Sequence, residues 1–185
     1  MQFGFYFDQT RCIGCYACSV SCKDWHNVDP GPAHWRKVIT LEEGKFPDVQ
    51  VAFLSSACYH CASPACVTAC PAEAIRKRER DGIVVVDREK CLGKDDCGVC
   101  REACPYEAPQ FGAEENAKMQ KCDLCLDRIG KGEKPVCVAA CRTRALAAGP
   151  LDQLEAEFGG GKEAPGMTHS PGVKPSAVFK RKEWK

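Results

Sequence analysis

Apolar positions along this chain come in short bursts. FGFYF at residues 3–7 reads as a strand. The stretch NVDPGPAHW is turn material, rich in Pro, Gly and Asp. RKVITLEE and DVQVAFLSS then read as two strands joined by a GKFPD turn. PACVTAC is predicted as a short helix, and GIVVVDREKC as a return strand opened by a DG turn. GPLDQLEAEFG is a short helix whose Leu151, Leu154 and Phe158 share a face. The segment that follows, GGGKEAPGMTHSPGVKPSAVFKRKEWK, is rich in Gly, Pro and charge and has no packing pattern of its own. It is expected to be an extended tail lying on this subunit or on a partner. The longest apolar runs, VQVAFLSSA and GIVVVD, are strand-sized. None approaches the roughly 18 residues needed to span a bilayer, so no direct membrane insertion is expected.

Composition changes this reading in one respect. Of 185 residues, 16 are cysteine, close to the proportion of a cysteine-built scaffold. Either disulfides or metal must account for them. Charge is nearly balanced, with 26 Lys plus Arg against 25 Asp plus Glu, and no basic tract is dense enough for nucleic acid. The runs RKRER (76–80) and FKRKEWK (179–185) read as solvated surface. The opening MQFGFYFDQTRC has no basic region, long apolar run or small-residue cleavage site, so it does not read as a secretory leader.

The cysteines fall into four groups of four. These are Cys12, Cys15, Cys18 and Cys22; Cys58, Cys61, Cys66 and Cys70; Cys91, Cys97, Cys100 and Cys104; and Cys122, Cys125, Cys137 and Cys141. Each group ends in C-x3-C, and no cysteine is left over. Disulfides suit small secreted scaffolds, but CxxCxxC crowds thiols too closely for each to choose a partner. Structural zinc favours paired CxxC knuckles, and only the fourth group begins like one. The spacing C-x2-C-x2-C-x3-C with a following Pro is the bacterial ferredoxin pattern. The first group has that spacing, and the second and third carry the Pro at residues 71 and 105. Iron–sulfur ligation is therefore the expectation. A loop with cysteines three apart wraps three corners of a cubane and turns its backbone N–H groups toward the sulfurs. The cysteine after the x3 gap lies a helical turn further on and points to a neighbouring cluster. Cys22 is thus expected to leave the cluster held by Cys12, Cys15 and Cys18. Sixteen thiolates suffice for four [4Fe–4S] clusters.

The expected fold class is α+β, with two ferredoxin-like two-cluster units, one inserted into the other, and little regular structure. Residues 1–54 plus 110–150 form the outer unit, 55–109 the inserted unit, and 151–185 the short helix and extended C-terminal tail. So few residues leave a small apolar core, and folding should depend on metal. No phosphate loop, dinucleotide fingerprint or H-E-x-x-H is present, so no catalytic site is expected. His26, His34, His60 and His169 are not expected to be ligands. His60, inside CYHC, is a candidate hydrogen-bond partner for a cluster sulfur. Trp25, Trp35 and Tyr59 read as packing. Lys23 and Arg142, each following a cysteine, are candidate charges favouring the reduced cluster.

Residues 104–154, CPYEAPQFGAEENAKMQKCDLCLDRIGKGEKPVCVAACRTRALAAGPLDQL, closely resemble the iron–sulfur electron-transfer subunit of the dimethyl sulfoxide reductase family. CIGCYACSVSCKDWH and CYHCASPACVTACPAEAI are similar to its first two cluster motifs, and the resemblance covers about residues 4 to 158. It implies four cluster sites with crossed ligation. One would use Cys12, Cys15, Cys18 and Cys141, and its neighbour Cys122, Cys125, Cys137 and Cys22. A third would use Cys58, Cys61, Cys66 and Cys104, and the last Cys91, Cys97, Cys100 and Cys70. It also implies a large molybdenum or tungsten bis-pterin catalytic partner, and a membrane anchor or soluble carrier as second redox partner. The chain itself would be non-catalytic. A free-standing polyferredoxin, or the equivalent subunit of a formate dehydrogenase or hydrogenase, are the alternative readings. A cytoplasmic or membrane-associated location is expected, or a periplasmic one by co-export with a twin-arginine partner. One departure stands out. Five residues separate Cys91 from Cys97 where the family pattern has two. The inserted KDD reads as a surface loop; beside a cluster, its acidic pair would lower the potential and Lys94 would partly offset that.

Overall fold

The computed structural model describes residues 1–184. Strand β1 (Phe3–Asp8) runs into the first cysteine loop and helix α1 (Ala17–Trp25). A hairpin of β2 (Arg36–Glu43) and β3 (Gln50–Ala57) follows, paired from Arg36↔Ala57 to Glu43↔Gln50. Its turn closes tightly at Gly44, where φ is +91° and a side chain would strike the Asp48 carbonyl. The second cysteine loop carries α2 (Ala65–Thr68), and a small hairpin pairs β4 (Ile75–Lys77) with β5 (Val84–Val86). Asp81 shapes the turn between them, accepting from the Ile83 N–H and pairing with Arg78 at 3.0 Å. Helices α3 (Val99–Glu102), α4 (Leu126–Ile129) and α5 (Val136–Ala139) are each a single turn inside the remaining cysteine loops. Strand β6 (Leu146–Pro150) leads to α6 (Leu151–Phe158), and β7 (Ala177–Lys180) ends the fold.

The segments before and after the middle of the chain meet. β6 pairs antiparallel with β1, from Phe3↔Pro150 to Phe7↔Leu146, and α1 packs on α5. α6 lies across this sheet with Leu154 buried, and its Phe158 stacks on Tyr6 with centroids 4.2 Å apart. The main core gathers Phe5, Phe7, Leu54, Ile83 and Leu124, and the thiols of Cys18, Cys58, Cys122 and Cys137 sit among them. A second patch joins Ile75, Val84, Phe111 and Met119 to Cys66 and Cys100. Sulfur thus occupies positions that Leu or Val would fill in a metal-free core.

The last segment, expected as an extended tail on this subunit or a partner, includes a strand that its composition does not suggest. Residues 177–180 form β7, parallel to β1, with Ala177, Val178 and Phe179 buried. Gly4 permits this docking, since a Cβ there would lie 2.3 Å from the Ser176 carbonyl oxygen. On the way, the segment clasps the second cysteine loop. The N–H groups of Ala62 and Ser63 donate to the carbonyls of Lys174 and Val173, and the Ser176 N–H donates to the Tyr59 carbonyl. The basic runs also differ from plain solvated surface. Lys77 donates to the Cys61 and Ala62 carbonyls, and Lys182 donates to the Val51 carbonyl. Among the described residues, no helix is long and apolar enough to cross a membrane.

Candidate metal centres

All sixteen cysteines are free, eight of them buried, and only Cys15 is exposed. Their thiols converge in fours. Burial raises the Cys12 thiol pKa, and the neighbouring thiols of Cys18, Cys141 and Cys15 raise it further. Cys22 is pushed up to about 12, first by burial and then by Cys137 and Cys125. Burial and the nearby Cys22 and Cys137 also raise Cys122. Cys61 goes up to about 12 through burial and through Cys58, Cys104 and Cys66. Cys100 goes up to about 11 through burial and through Cys91, Cys97 and Cys70. The four gatherings adjoin one another. Cys122 feels Cys58, and Cys66 feels Cys100.

The local backbone explains how single-turn elements present these sulfurs. Cys18 and Cys22 lie one turn apart on the buried face of α1. The loop before α1 bends through left-handed conformations at Gly14 and Tyr16, and the loop before α4 does so at Leu124 and Cys125. Such turns aim N–H groups inward. The Leu124 N–H donates to Cys122 Sγ at 3.4 Å, the Ala145 N–H to Cys141 Sγ at 3.2 Å, and the Met119 N–H to Cys91 Sγ at 3.4 Å.

The loop of the Cys91–Cys97 insertion is tied outward. Asn116 receives the Asp95 N–H on its side-chain oxygen and donates to Asp96 and to the Leu92 carbonyl. Asp95 and Asp96 are exposed, and the Lys94 ammonium donates to the carbonyls of Gly112 and Ala113.

Several polar groups lie beside the thiols, and two of them, Arg36 and Lys121, carry no obvious signal in the sequence. His26 Nε2 lies 3.2 Å from Cys125 Sγ, with its ring against Trp35; His26, Asp123 and Cys125 converge within 4.8 Å. Lys121 is buried and donates to the carbonyls of Val84 and Cys122. Arg36 is buried at 2% exposure, stacks on Phe5 at 4.5 Å and donates from Nη1 to Ser55 Oγ at 3.1 Å. Burial works against its charge, and the sulfurs of Cys137, Cys122, Cys18 and Cys22, once they are thiolates, more than offset that and favour the charged guanidinium. His60 is fully buried and kept neutral by that burial, with its Nδ1 accepting from the Val84 N–H. The two charges singled out in the sequence have other surroundings than Arg36. Arg142 is exposed, and Lys23 donates to the Gly31 and Ala33 carbonyls. His34 is exposed, and His169 is only partly covered. Trp25 donates to Asp127 and Trp35 to Gln120.

This arrangement suits a soft, thiolate-bound metal group. The cysteine donors are all sulfur, and in each gathering at least one thiol, among them Cys12, Cys22, Cys61 and Cys100, is disfavoured as a lone anion, first by burial and then by its neighbours. A cation that displaces the protons removes that penalty. Among the described residues, three buried side-chain atoms lack a hydrogen-bond partner: Arg36 Nε, Arg36 Nη2 and His60 Nε2. All three are nitrogens that can donate, which is the complement of an anionic, sulfur-rich group.

Comparison with known proteins separates iron–sulfur from zinc. Family models described as 4Fe-4S dicluster domains match residues 49–151 and residues 11–74. The protein is 39% identical to one chain of the anaerobic dimethyl sulfoxide reductase of Escherichia coli, over 97% of its own length and 88% of that relative. It is 39% identical to the formate dehydrogenase iron-sulfur subunit of Wolinella succinogenes, over 81% of its own length and 82% of the relative. It is 36% identical to a subunit of the sulfite dehydrogenase of Allochromatium vinosum, over 84% and 72%. Converging thiols, inward-facing donors and these matches lead to one conclusion: this protein belongs to the 4Fe-4S dicluster family, as an iron–sulfur subunit of the dimethyl sulfoxide reductase, sulfite dehydrogenase and formate dehydrogenase type.

Proposed function

We propose that this chain carries four [4Fe–4S] clusters and wires a large molybdenum or tungsten bis-pterin catalytic subunit to a second redox partner, a membrane anchor or a soluble carrier. The gathering of sixteen thiols into four adjoining fours carries this reading. Cys12, Cys15, Cys18 and Cys141 would hold one cluster, and Cys122, Cys125, Cys137 and Cys22 the next. Cys58, Cys61, Cys66 and Cys104 would hold the third, and Cys91, Cys97, Cys100 and Cys70 the fourth. The electrostatic reach of Cys22 to Cys137 and Cys125, rather than to its sequence neighbours, supports the crossed sets. An outer two-cluster unit (1–54 plus 110–150) embracing an inserted one (55–109) fits the pairing of β1 with β6.

When bound, the clusters would accept and release single electrons without bond rearrangement in the protein. The chain's own residues do the rest. The loops fix the thiolates, backbone N–H groups and Arg36 offset their negative charge, and the apolar core keeps water from the inner sites. The chain needs no catalytic residues of its own for this role. Substrate choice belongs to the catalytic partner, with sulfoxide, sulfite and formate chemistry represented among the relatives. Exposed Ile13, Tyr16, Val20 and Trp25 surround the first cysteine loop. Such a rim fits a subunit that docks through this end better than a free polyferredoxin. We place the chain in the cytoplasm or at a membrane, or in the periplasm by co-export with its partner.

Anaerobic purification with metal analysis and identification of co-purifying chains tests the proposal. The expected outcome is four irons for every four cysteines, together with a large pterin-binding chain holding molybdenum or tungsten. Iron on a lone chain would move the assignment to a free polyferredoxin. The ligand sets are tested separately by Cys22→Ser and Cys141→Ser. Each is expected to alter the electron paramagnetic resonance signal of the cluster on the other side of the pair. Cys22→Ser acting on the Cys12 cluster instead would refute the crossing.

A further inference from the structure

Arg36 is the first residue of β2, within a run, HWRKV, that looks like any exposed strand end. It is instead among the most enclosed polar residues of the chain, at 2% exposure. One nitrogen is tethered to Ser55 Oγ at 3.1 Å, and that hydroxyl in turn lies 3.5 Å from Cys18 Sγ. The face of the guanidinium rests on Phe5. These contacts hold the fork in place, yet Nε and Nη2 have no partner. No carboxylate forms an ion pair with it among the described residues. A buried cation without a counter-charge costs several kcal/mol, and two buried N–H donors left open add to that. Lys121 is a contrast, because its ammonium is taken up by two carbonyls. The thiols that bear most strongly on Arg36 are Cys18 of the first gathering and Cys22, Cys122 and Cys137 of the second; Tyr59 and His60 also lie within its reach.

We propose that Arg36 is a shared potential-setting residue for the first and second cluster sites, its fixed charge and two open N–H donors serving both at once. This rests on the four-cluster reading above. A fixed positive charge in a low-dielectric interior favours the more negative, reduced form of any neighbouring cluster. A charge lying between two sites raises both reduction potentials together. It also offsets the repulsion that an electron on one site exerts on an electron arriving at the other. Arg36 would thus keep two adjacent clusters reducible in the same potential range, which a pair of closely spaced anions would otherwise oppose. It acts through the thiolates and sulfides and is a positioning residue in that sense.

The test is a redox titration of the anaerobically purified complex, followed by electron paramagnetic resonance, for wild type, Arg36→Met and Arg36→Lys. Signals are assigned to sites with the cysteine variants. In Arg36→Met the first and second clusters are expected to be harder to reduce by about tenfold or more in equilibrium constant, about 59 mV for a one-electron couple. The third and fourth should be unchanged. Arg36→Lys, which keeps the charge but not the fork, should lie nearer to wild type. Unchanged potentials in a fully loaded Arg36→Met complex, or an equal shift at all four sites, would overturn the inference. If Arg36→Met fails to load the first two sites while Arg36→Lys loads them, the charge serves assembly of the sites rather than their potentials, and the inference falls. If neither loads them, Arg36 is a packing residue and the inference falls. A wild-type complex without four clusters would remove the reading beneath it, which is a separate failure visible in the iron content.

Discussion

His26 shows how a single side chain can tune one site and spare the rest. Its Nε2 stands 3.2 Å from Cys125 Sγ, while Trp35 covers the ring and Asp123 lies 3.8 Å away. Once Cys125 is a thiolate, the ring nitrogen can only be the donor. Hydrogen bonds to sulfur raise cluster potentials, and one to a charged acceptor contributes roughly 1.5 to 3 kcal/mol. His26→Phe keeps the flat ring and removes the donor. The expected result is an approximately tenfold shift toward the oxidised form at the Cys125 cluster alone, read by redox titration. A complex in which no potential moves would make His26 a packing partner of Trp35 and nothing more. The same logic separates it from Arg142, which the sequence puts next to a cysteine but the fold leaves in solvent. Adjacency in sequence is a poor guide to electrostatic reach when the backbone leaves each cysteine in a tight turn.

Among the elements, β7 has the clearest dependence on one residue. Its docking needs a bare backbone at Gly4, where any Cβ would meet the Ser176 carbonyl at 2.3 Å. Gly4→Val is expected to lift residues 173–180 from β1, costing on the order of 1 to 3 kcal/mol as an overpacked contact. Because Val173, Lys174 and Ser176 clasp the loop of Tyr59, Ala62 and Ser63, the Cys58 and Cys61 site should lose iron first. Proteolysis confined to the last thirty or so residues (roughly the span after α6), with selective loss of that cluster's signal, is the expected reading. An intact signal beside a cleaved tail would show the clasp to be dispensable. This element also marks what could be read in advance. β1, the β2–β3 hairpin and the α6 face were legible because aromatic, β-branched and apolar residues crowd them at strand or helix spacing. β7 was not, because its AVFK lies among Gly, Pro and Lys and is buried by a strand about 170 residues earlier (Phe5 pairs with Ala177). β4 was masked in the same way by the charges of RKRER. At the metal centres the spacing singled out the thiols. Arg36 and Lys121 escaped notice, and His26 was considered only as a ligand, because only the folding back of distant segments carries them to the sulfurs.

For the molecule as a whole, the core is arranged around groups that metal must neutralise. Cys18, Cys58, Cys122 and Cys137 lie inside the main apolar cluster, and Cys66 and Cys100 inside the second. Large, fully buried apolar side chains are few, chiefly Phe7, Phe179, Leu54, Ile83, Met119 and Leu124. Helices α2 to α5 have four residues each and cannot persist alone. Without iron, the cation of Arg36 stays buried with no anion to balance it and two N–H donors open. An uncompensated buried charge costs about 3 to 5 kcal/mol, a large part of the 5 to 15 kcal/mol that roughly spans domain stability. Stripping the iron under anaerobic conditions is therefore expected to abolish the far-ultraviolet circular dichroism of the fold and its cooperative melting, with both restored on reconstitution with iron and sulfide. A metal-free chain that still melts cooperatively would show that the apolar core suffices. Arg36→Met sharpens the prediction, because an apolar side chain removes a buried charge. In the metal-free chain it should leave more residual structure than wild type retains. In the loaded complex the same change should make two clusters harder to reduce. Opposite signs in the two states are what a residue placed for the clusters requires, and a residue placed for packing would weaken both.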